Sequence, residues 1–502
     1  MARDEAGTAT EVTDSSAADA AVRLLEAEQR LAVLEHENNH LRSEVQELET
    51  RREELVNLLN QDPHTALPIR RIFDRDYRKM SEEHALRSES LAVAVVRLDR
   101  AYDRIKNTRD RGKVFLFRTA ARIRAVVGDC IYQSDRVEEF ILLLGAVKNL
   151  KRARLLAESV IREVSAPHEP PAQDVAFGCH VGVCLYKDGQ HQREEIVGNA
   201  YIALEECEAN RDTVVVYSTE LGNRYREKQT IERELHRAIQ DGFSEFAIVF
   251  QPLVDRDGRI LGAEALMRWK NGTLGNIPPA RFIPIAEESG YIGFLEQWML
   301  YHSCRQIRQW RDRFGTEIHV SVNISPSQFK QADLVQRITG ILRALKLPGT
   351  SLKLELTEGA VMENPEDAIR KMNDFRSHGI RISIDDFGIG YSSLNYLRRL
   401  PIDTLKIDKS FIEDLPRNAG NRKIVTAIIS MAHGLRIEAL AEGVETRAQL
   451  DFLLSEQCNS IQGFLFSRPV SPEEFGRFLA ADGVIVCCSD GDRDPAAGGG
   501  NS

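Results

Sequence analysis

RISIDD, residues Arg381–Asp386, is a strand-like run that ends on two adjacent carboxylates. HVSVN, residues 319–323, is built the same way and ends on Asn323. Working outward, Glu264, Glu355, Lys406 and Glu442 also end or closely follow apolar runs across the C-terminal half. Carboxylates pushed together repel, so each raises the other's pKa unless a cation neutralises them. Hard oxygen ligands without Cys or His favour Mg²⁺ or Mn²⁺ over Zn²⁺. The pattern predicts a divalent-metal hydrolase.

Residues 246–467 hold eight strand candidates: FAIVFQPLV, RILGAEALM, HVSVNIS, LKLELTE, ISIDDF, TLKID, EALAEGV and SIQGFLF. Helical segments such as FLEQWMLYHSCRQIRQWRDRF and ADLVQRITGILRAL separate most of them. The alternation predicts a parallel α/β sheet, and eight units predict a closed (β/α)8 barrel. Function in that architecture sits at the C-terminal ends of the strands, where these polar residues lie. Taken singly, each has a plain explanation: Glu264 as a helix cap, Asn323 as an Asx-turn, Lys406 as a solvated strand end, Asp385 and Asp386 as a turn. Chance does not readily place all of them at strand ends. Gly388 and Gly390 would let the strand break sharply and turn both aspartates toward one site.

Ahead of the barrel, residues 61–218 alternate the strands LAVAVVRL, EFILLLGAV, VAFGCHVGVCLY and TVVVYS with charged amphipathic helices, an α+β domain. A helical connector is expected over 219–235 and the barrel domain over 236–482. Residues 21–60 carry an unbroken heptad. Leu24, Leu31, Asn38, Val45, Arg52 and Leu59 fall at a; Ala27, Leu34, Leu41, Leu48 and Leu55 fall at d. Leu at d with one Asn at a predicts a parallel two-stranded coiled coil, hence a homodimer. Asp62-Pro63 and Leu67-Pro68 end that helix. Residues 1–20 and 483–502, the latter ending DPAAGGGNS, are low in complexity and expected to be disordered.

With 502 residues, 42% hydrophobic and 28% charged, the chain has ample material for two or three cores. A net charge of −10 argues against binding bulk nucleic acid. The eight cysteines lack paired metal spacing and read as structural thiols. No apolar run approaches a bilayer span and the acidic start lacks a signal peptide's features, so a cytoplasmic location without membrane insertion is expected.

FQPLVDRDGRILGAEALMRW, SVNISPSQF, LKLELTE, ISIDDFGIGYSSL, LKIDKSFI, ALAEGVET and QGFLFSRP, in this order, resemble the EAL family of cyclic di-GMP phosphodiesterases. The resemblance implies a modified (β/α)8 barrel whose first strand runs antiparallel to the rest, two divalent cations (Mg²⁺ or Mn²⁺), and conversion of cyclic di-GMP to linear pGpG. Carried over residue by residue, it implies that Glu264, Asn323, Glu355 and Asp385 hold one metal. Asp385 and Asp386 would help bridge to a second, and Glu442 would complete the acidic shell. Lys406 would orient or deprotonate the attacking water, or balance its charge. Arg268 would meet a ligand phosphate, Gln462 and Gln251 would supply amides toward the substrate, and Glu358 would anchor the loop Phe387–Ser393. Two departures stand out: Ile389 replaces a small residue between the loop glycines, and Phe464 stands where Tyr is frequent.

DPHTALPIRRIF and DRVEEFILLL resemble the opening and the signature stretch of GGDEF diguanylate cyclase domains. By that resemblance Arg136 and Val137 replace two glycines, and Glu138-Glu139 replace Asp-Glu. Arg97, in VVRLDRAYD, takes the place of the first metal-binding Asp. VGDC, residues 127–130, does not match the inhibitory RxxD motif. The resemblance therefore implies a non-catalytic domain, with Glu138, Glu139 and Asp99 solvated or salt-bridged. Three functional classes follow. One is a phosphodiesterase regulated through the coil and this domain, with the EAL domain adding to the dimer contact. Another is a cyclic di-GMP receptor that signals to a protein partner. The third is an interaction scaffold whose barrel binds no nucleotide.

Overall fold

The computed structural model describes residues 30–31, 33–52, 55–56, 59–85, 90–99, 102, 111–145, 147, 150–167, 178–186, 193–388 and 394–487. Leu24, Ala27, the 1–20 segment, Ile389 with the loop 389–393, and the DPAAGGGNS tail lie outside these residues. The chain divides into two compact units, one through Arg226 and one from Glu227.

In the first unit, the described residues from 30 to 60 are helical. Leu31, Leu34, Leu41, Val45, Leu48, Leu55 and Leu59 of the heptad seam are each more than half exposed. Beyond them a five-stranded sheet is built from β1 (Leu91–Leu98), β2 (Ile131–Gln133), β3 (Glu139–Leu144), β4 (Cys179–Tyr186) and β5 (Val214–Val216), in the order β2-β3-β1-β4-β5. β1 is central and antiparallel to both neighbours. Its near-continuous apolar run is explained by helices on both faces. Ala92, Ala94 and Val96 join one core, and Leu91, Val93 and Val95 join the other. Gly182 in β4 allows the helix Arg193–Ala209 to lie directly on the strand, where a Cβ would collide with the backbone of Ala200 and Leu204.

In the second unit, β6 (Phe246–Val254), β7 (Ile260–Asn271), β8 (Gly275–Ile277), β9 (His319–Ile324), β10 (Leu352–Thr357), β11 (Arg381–Phe387), β12 (Thr404–Ile407), β13 (Glu438–Ala441) and β14 (Ser460–Ile461) form one sheet. β6 pairs antiparallel with both β14 and β7, closing an eight-stranded ring, while β8 is a short hairpin extension of β7. The remaining neighbours are parallel. The barrel and its antiparallel first strand match the expectation. EALAEGV and SIQGFLF are shorter as strands than as apolar runs. Glu442 to Val444 leaves the ladder, with Gly443 at φ +66, and Val444 N–H instead donates to Gln462 O at 3.1 Å.

Alternation along the strands sorts the barrel interior. Val320, Val322, Leu354, Leu356, Ile382, Ile384, Leu405 and Ile407 join the core beneath the surrounding helices. The intervening residues face the axis. Among the described residues no helix is long and apolar enough to cross a membrane.

Candidate functional site

The register of the parallel strands sets Asn323 beside Glu355, and Thr357 beside Asp385. The inward residues at these C-terminal ends converge on one ammonium group. Lys406 Nζ lies 2.6 Å from Glu355 Oε2, 2.5 Å from Glu442 Oε1, 3.2 Å from Asp385 Oδ1 and 3.9 Å from Glu264 Oε1. Lys406 and Glu355 are both about 1% exposed. Asn323 Nδ2 donates to Glu264 Oε1 at 3.1 Å. Gln462 Nε2 donates to Glu264 Oε2 at 2.6 Å and to Gln251 Oε1 at 2.9 Å. Gln251 Nε2 in turn donates to Ser467 O at 3.3 Å.

The electrostatics are those of a site with too few positive charges. Burial works against the charge on Lys406, yet the surrounding carboxylates hold its pKa well above the usual lysine value. One ammonium cannot neutralise four carboxylates. Burial pushes Glu355 up to about 7, opposed by Lys406 and helped by Glu264 and Asp385. Burial pushes Glu442 up to about 8 in the same balance. Asp386 is also raised, by burial and then by Asp385 and Asp408.

Asp386 adopts φ +55, a left-handed conformation uncommon for a residue other than glycine, and its N–H donates to Asp385 Oδ1 at 3.0 Å. Gly388 follows at φ +102, with its N–H directed at Glu358 Oε2 over 3.4 Å. The strand thus breaks where the glycine was expected to permit it. Glu358 is buried, and its partner Gly388 is the second residue of the expected loop Phe387–Ser393. Arg268 is half-buried at the end of β7, and its Nη1 donates to Met267 O at 2.9 Å. Burial lowers its pKa while Glu264 pulls it back up.

The donor set suits a hard divalent cation: carboxylates and amides without sulfur or imidazole. Gln462 Oε1 is a buried oxygen with no hydrogen-bond partner, as an amide poised toward a further ligand would be. The arrangement itself is closed on Lys406. Among the described residues, no group of three or more acidic, His or Cys side chains is spaced to hold an ion. Oxygen donors of the kind expected from the sequence are therefore gathered around Lys406, and among the described residues they are not spaced as a ready-made ion cage.

Sequence reasoning missed the layer beneath. Ser321, Lys353, Ser383 and Thr404 are all buried, each two residues before Asn323, Glu355, Asp385 and Lys406 respectively. Lys353 Nζ donates to Thr404 Oγ1 at 2.9 Å. The period of two that marked the site residues as inward also marks these.

In the first unit, Arg97 Nε and Nη2 lie 2.9 and 2.8 Å from Glu139 Oε1, and Nη1 lies 2.7 Å from Glu208 Oε2. Glu139 is 1% exposed and also accepts from Tyr201 at 2.9 Å and Ser134 at 3.2 Å. Arg136 and Val137 are exposed on the turn between β2 and β3, and Glu138 is partly exposed there. Arg136 reaches Glu139 at 3.4 Å.

Comparison with known proteins agrees with this architecture. A family model described as the EAL domain matches residues 232–469, and one described as diguanylate cyclase, GGDEF domain, matches residues 59–213. The chain therefore carries an EAL domain, with a GGDEF domain ahead of it. It is 35% identical to the cyclic di-GMP phosphodiesterase NbdA of Pseudomonas aeruginosa, over 89% of this chain and 57% of that protein. It is 34% identical to the bifunctional diguanylate cyclase/cyclic di-GMP phosphodiesterase MucR of the same organism, over 84% of this chain and 62% of that protein. The chain thus spans under two thirds of these relatives. The EAL enzyme Bd1971 in its cGMP-bound form aligns with a TM-score of 0.50 at 25% identity, covering 70% of this chain and 92% of that one.

Proposed function

We propose that the barrel hydrolyses one phosphodiester bond of cyclic di-GMP, giving linear pGpG. Water forms the new P–O bond, the ester bond to the 3′ oxygen breaks, and that oxygen leaves protonated as the 3′ hydroxyl. The observation that carries this reading is the convergence of Glu264, Glu355, Asp385 and Glu442 on Lys406 at the barrel mouth. When bound, Mg²⁺ or Mn²⁺ would lower the pKa of water and offset the charge of the phosphate. Glu264, Asn323, Glu355, Asp385, Asp386 and Glu442 are the residues that would hold two such ions. Lys406, held between Glu355 and Asp385, would orient the attacking water and balance charge as it loses its proton. Arg268 would fix the phosphate, because a guanidinium pairs with its oxygens in a defined geometry. Gln462 and Gln251 would contact the substrate, and Glu358 would anchor the loop Phe387–Ser393.

The first unit would not act as a cyclase. Arg97 places a positive charge against the acidic residue of the signature, and side chains occupy the positions where glycines would admit a nucleotide. The heptad helix would bring two copies together in parallel, since burying its exposed leucines needs a partner with the same stripe. The alternative is a receptor that binds cyclic di-GMP and signals to a protein partner without turnover.

The test is purified protein with labelled cyclic di-GMP and Mg²⁺ or Mn²⁺, beside Glu264→Ala. Metal-dependent pGpG that vanishes in the variant supports the enzyme. Binding without product establishes the receptor instead.

A further inference from the structure

Phe464 is 42% exposed at the rim of the acidic mouth, two residues beyond Gln462, whose amide donates to Glu264. A single exposed phenylalanine is unremarkable by itself. This one is held in place from three sides. Its neighbour Gly463 lies so close to Val444 that a Cβ would collide with that backbone. Leu465 N–H donates to Val444 O at 3.0 Å, and Phe466 N–H to Gly463 O at 3.1 Å. The Arg468 guanidinium stands over the ring, 4.4 Å from its centroid. A cation within about 6 Å of an aromatic face is attracted to it, which restrains both groups. The same turn is tied to the mouth by Gln251 Nε2, which donates to Ser467 O.

We infer that Phe464, capped by Arg468, is a stacking platform for one purine base of the substrate. The inference rests on the functional reading above and adds a recognition element to it. The mouth below is lined by Glu264, Glu355, Asp385 and Glu442, carboxylates that give a base no π-face to stack on. A cyclic dinucleotide with a phosphate at the site must project its bases outward, over the rim. The open part of the Phe464 ring gives a planar, apolar surface there, and stacking tolerates any purine because each has a π-face. Arg468 keeps the ring from rotating and adds a positive charge beside the incoming phosphates. Phe464 is therefore a positioning residue, acting on binding rather than on bond cleavage.

The experiment compares wild type with Phe464→Ala, Phe464→Leu, Phe464→Trp and Arg468→Ala. It measures kcat and KM for cyclic di-GMP with Mn²⁺, and Kd by calorimetry with Ca²⁺. Phe464→Ala and Phe464→Leu should raise KM and Kd together by roughly ten-fold or more, with kcat within about two-fold of wild type. Phe464→Trp should restore binding, and Arg468→Ala should fall between. Leu retains apolar bulk without a π-face, so its failure to rescue separates stacking from simple burial. Equal Kd for wild type and Phe464→Ala would overturn the platform alone. A wild-type protein that neither binds nor cleaves cyclic di-GMP overturns the functional reading and the platform together.

Discussion

Lys406 Nζ on β12 and Glu355 Oε2 on β10 lie 2.6 Å apart across the intervening strand β11, with both side chains about 1% exposed. A buried ion pair of this kind contributes little net stability against an apolar pair, but removing one partner strands the other. Lys406→Met leaves Glu355 among Glu264, Asp385 and Glu442 with no counter-charge. Its expected cost is about 3–5 kcal/mol in urea denaturation without metal. A midpoint unchanged from wild type would show that the carboxylates take up protons at no cost.

Stability without metal should fall as pH rises. Glu355 and Glu442 have folded-state pKa values of about 7 and about 8, above the ordinary carboxylate value. The folded protein therefore binds more protons than the unfolded chain between these limits. The contribution is complete below about pH 4.5 and disappears as pH passes through 7 and 8. Melting temperatures in EDTA at pH 5.5 and 8.5 should decline in that order, and Glu355→Gln should flatten the slope. Mg²⁺ should restore more stability at pH 8.5 than at 5.5, because it competes with protons for the same oxygens.

Glu264→Ala removes the shared acceptor of Asn323 and Gln462 as well as an oxygen proposed to hold a metal. Turnover of cyclic di-GMP should drop more than ~100-fold. Circular dichroism should remain that of the folded barrel. Retained turnover would move the chemistry away from this site.

Arg97 is expected to be structural. Arg97→Ala leaves Glu139 buried without its main counter-charge and should cost about 3–5 kcal/mol in the first unit. The double variant Arg97→Met with Glu139→Leu should recover most of that loss. Wild type and both variants should yield no cyclic di-GMP from GTP. Product from wild type would refute the non-catalytic reading.

The heptad helix makes the assembly testable. Leu34→Lys with Leu41→Lys puts charges at two successive d positions and should convert a dimer to a monomer in light scattering. An unchanged mass would place the dimer contact elsewhere or remove it.

Much of the site was legible in the sequence because a barrel strand carries its own code. Polar residues at the ends of apolar runs in Asn323, Glu355, Asp385 and Lys406 announced the mouth, and the alternation assigned them to the axis. The same alternation reached Ser321, Lys353, Ser383 and Thr404, but buried polar residues look like ordinary surface residues until the opposite strands are in place. The strands before Glu442 and Gln462 end sooner than their apolar runs, at Ala441 and Ile461. Apolar runs report burial, and burial continues there after the hydrogen-bond ladder has ended.

The class of fold and the oxygen-rich side chains at the strand ends are readable from the chain alone. These follow from local period and residue chemistry, which are properties of short stretches. Only the tertiary structure decided that four carboxylates close on Lys406, that Glu139 is satisfied by Arg97, and that Phe464 stands open under Arg468 at the rim. The first two relationships join residues tens of positions or more apart, and the outcome of all three depends on the balance of burial, charge and space when the strands meet.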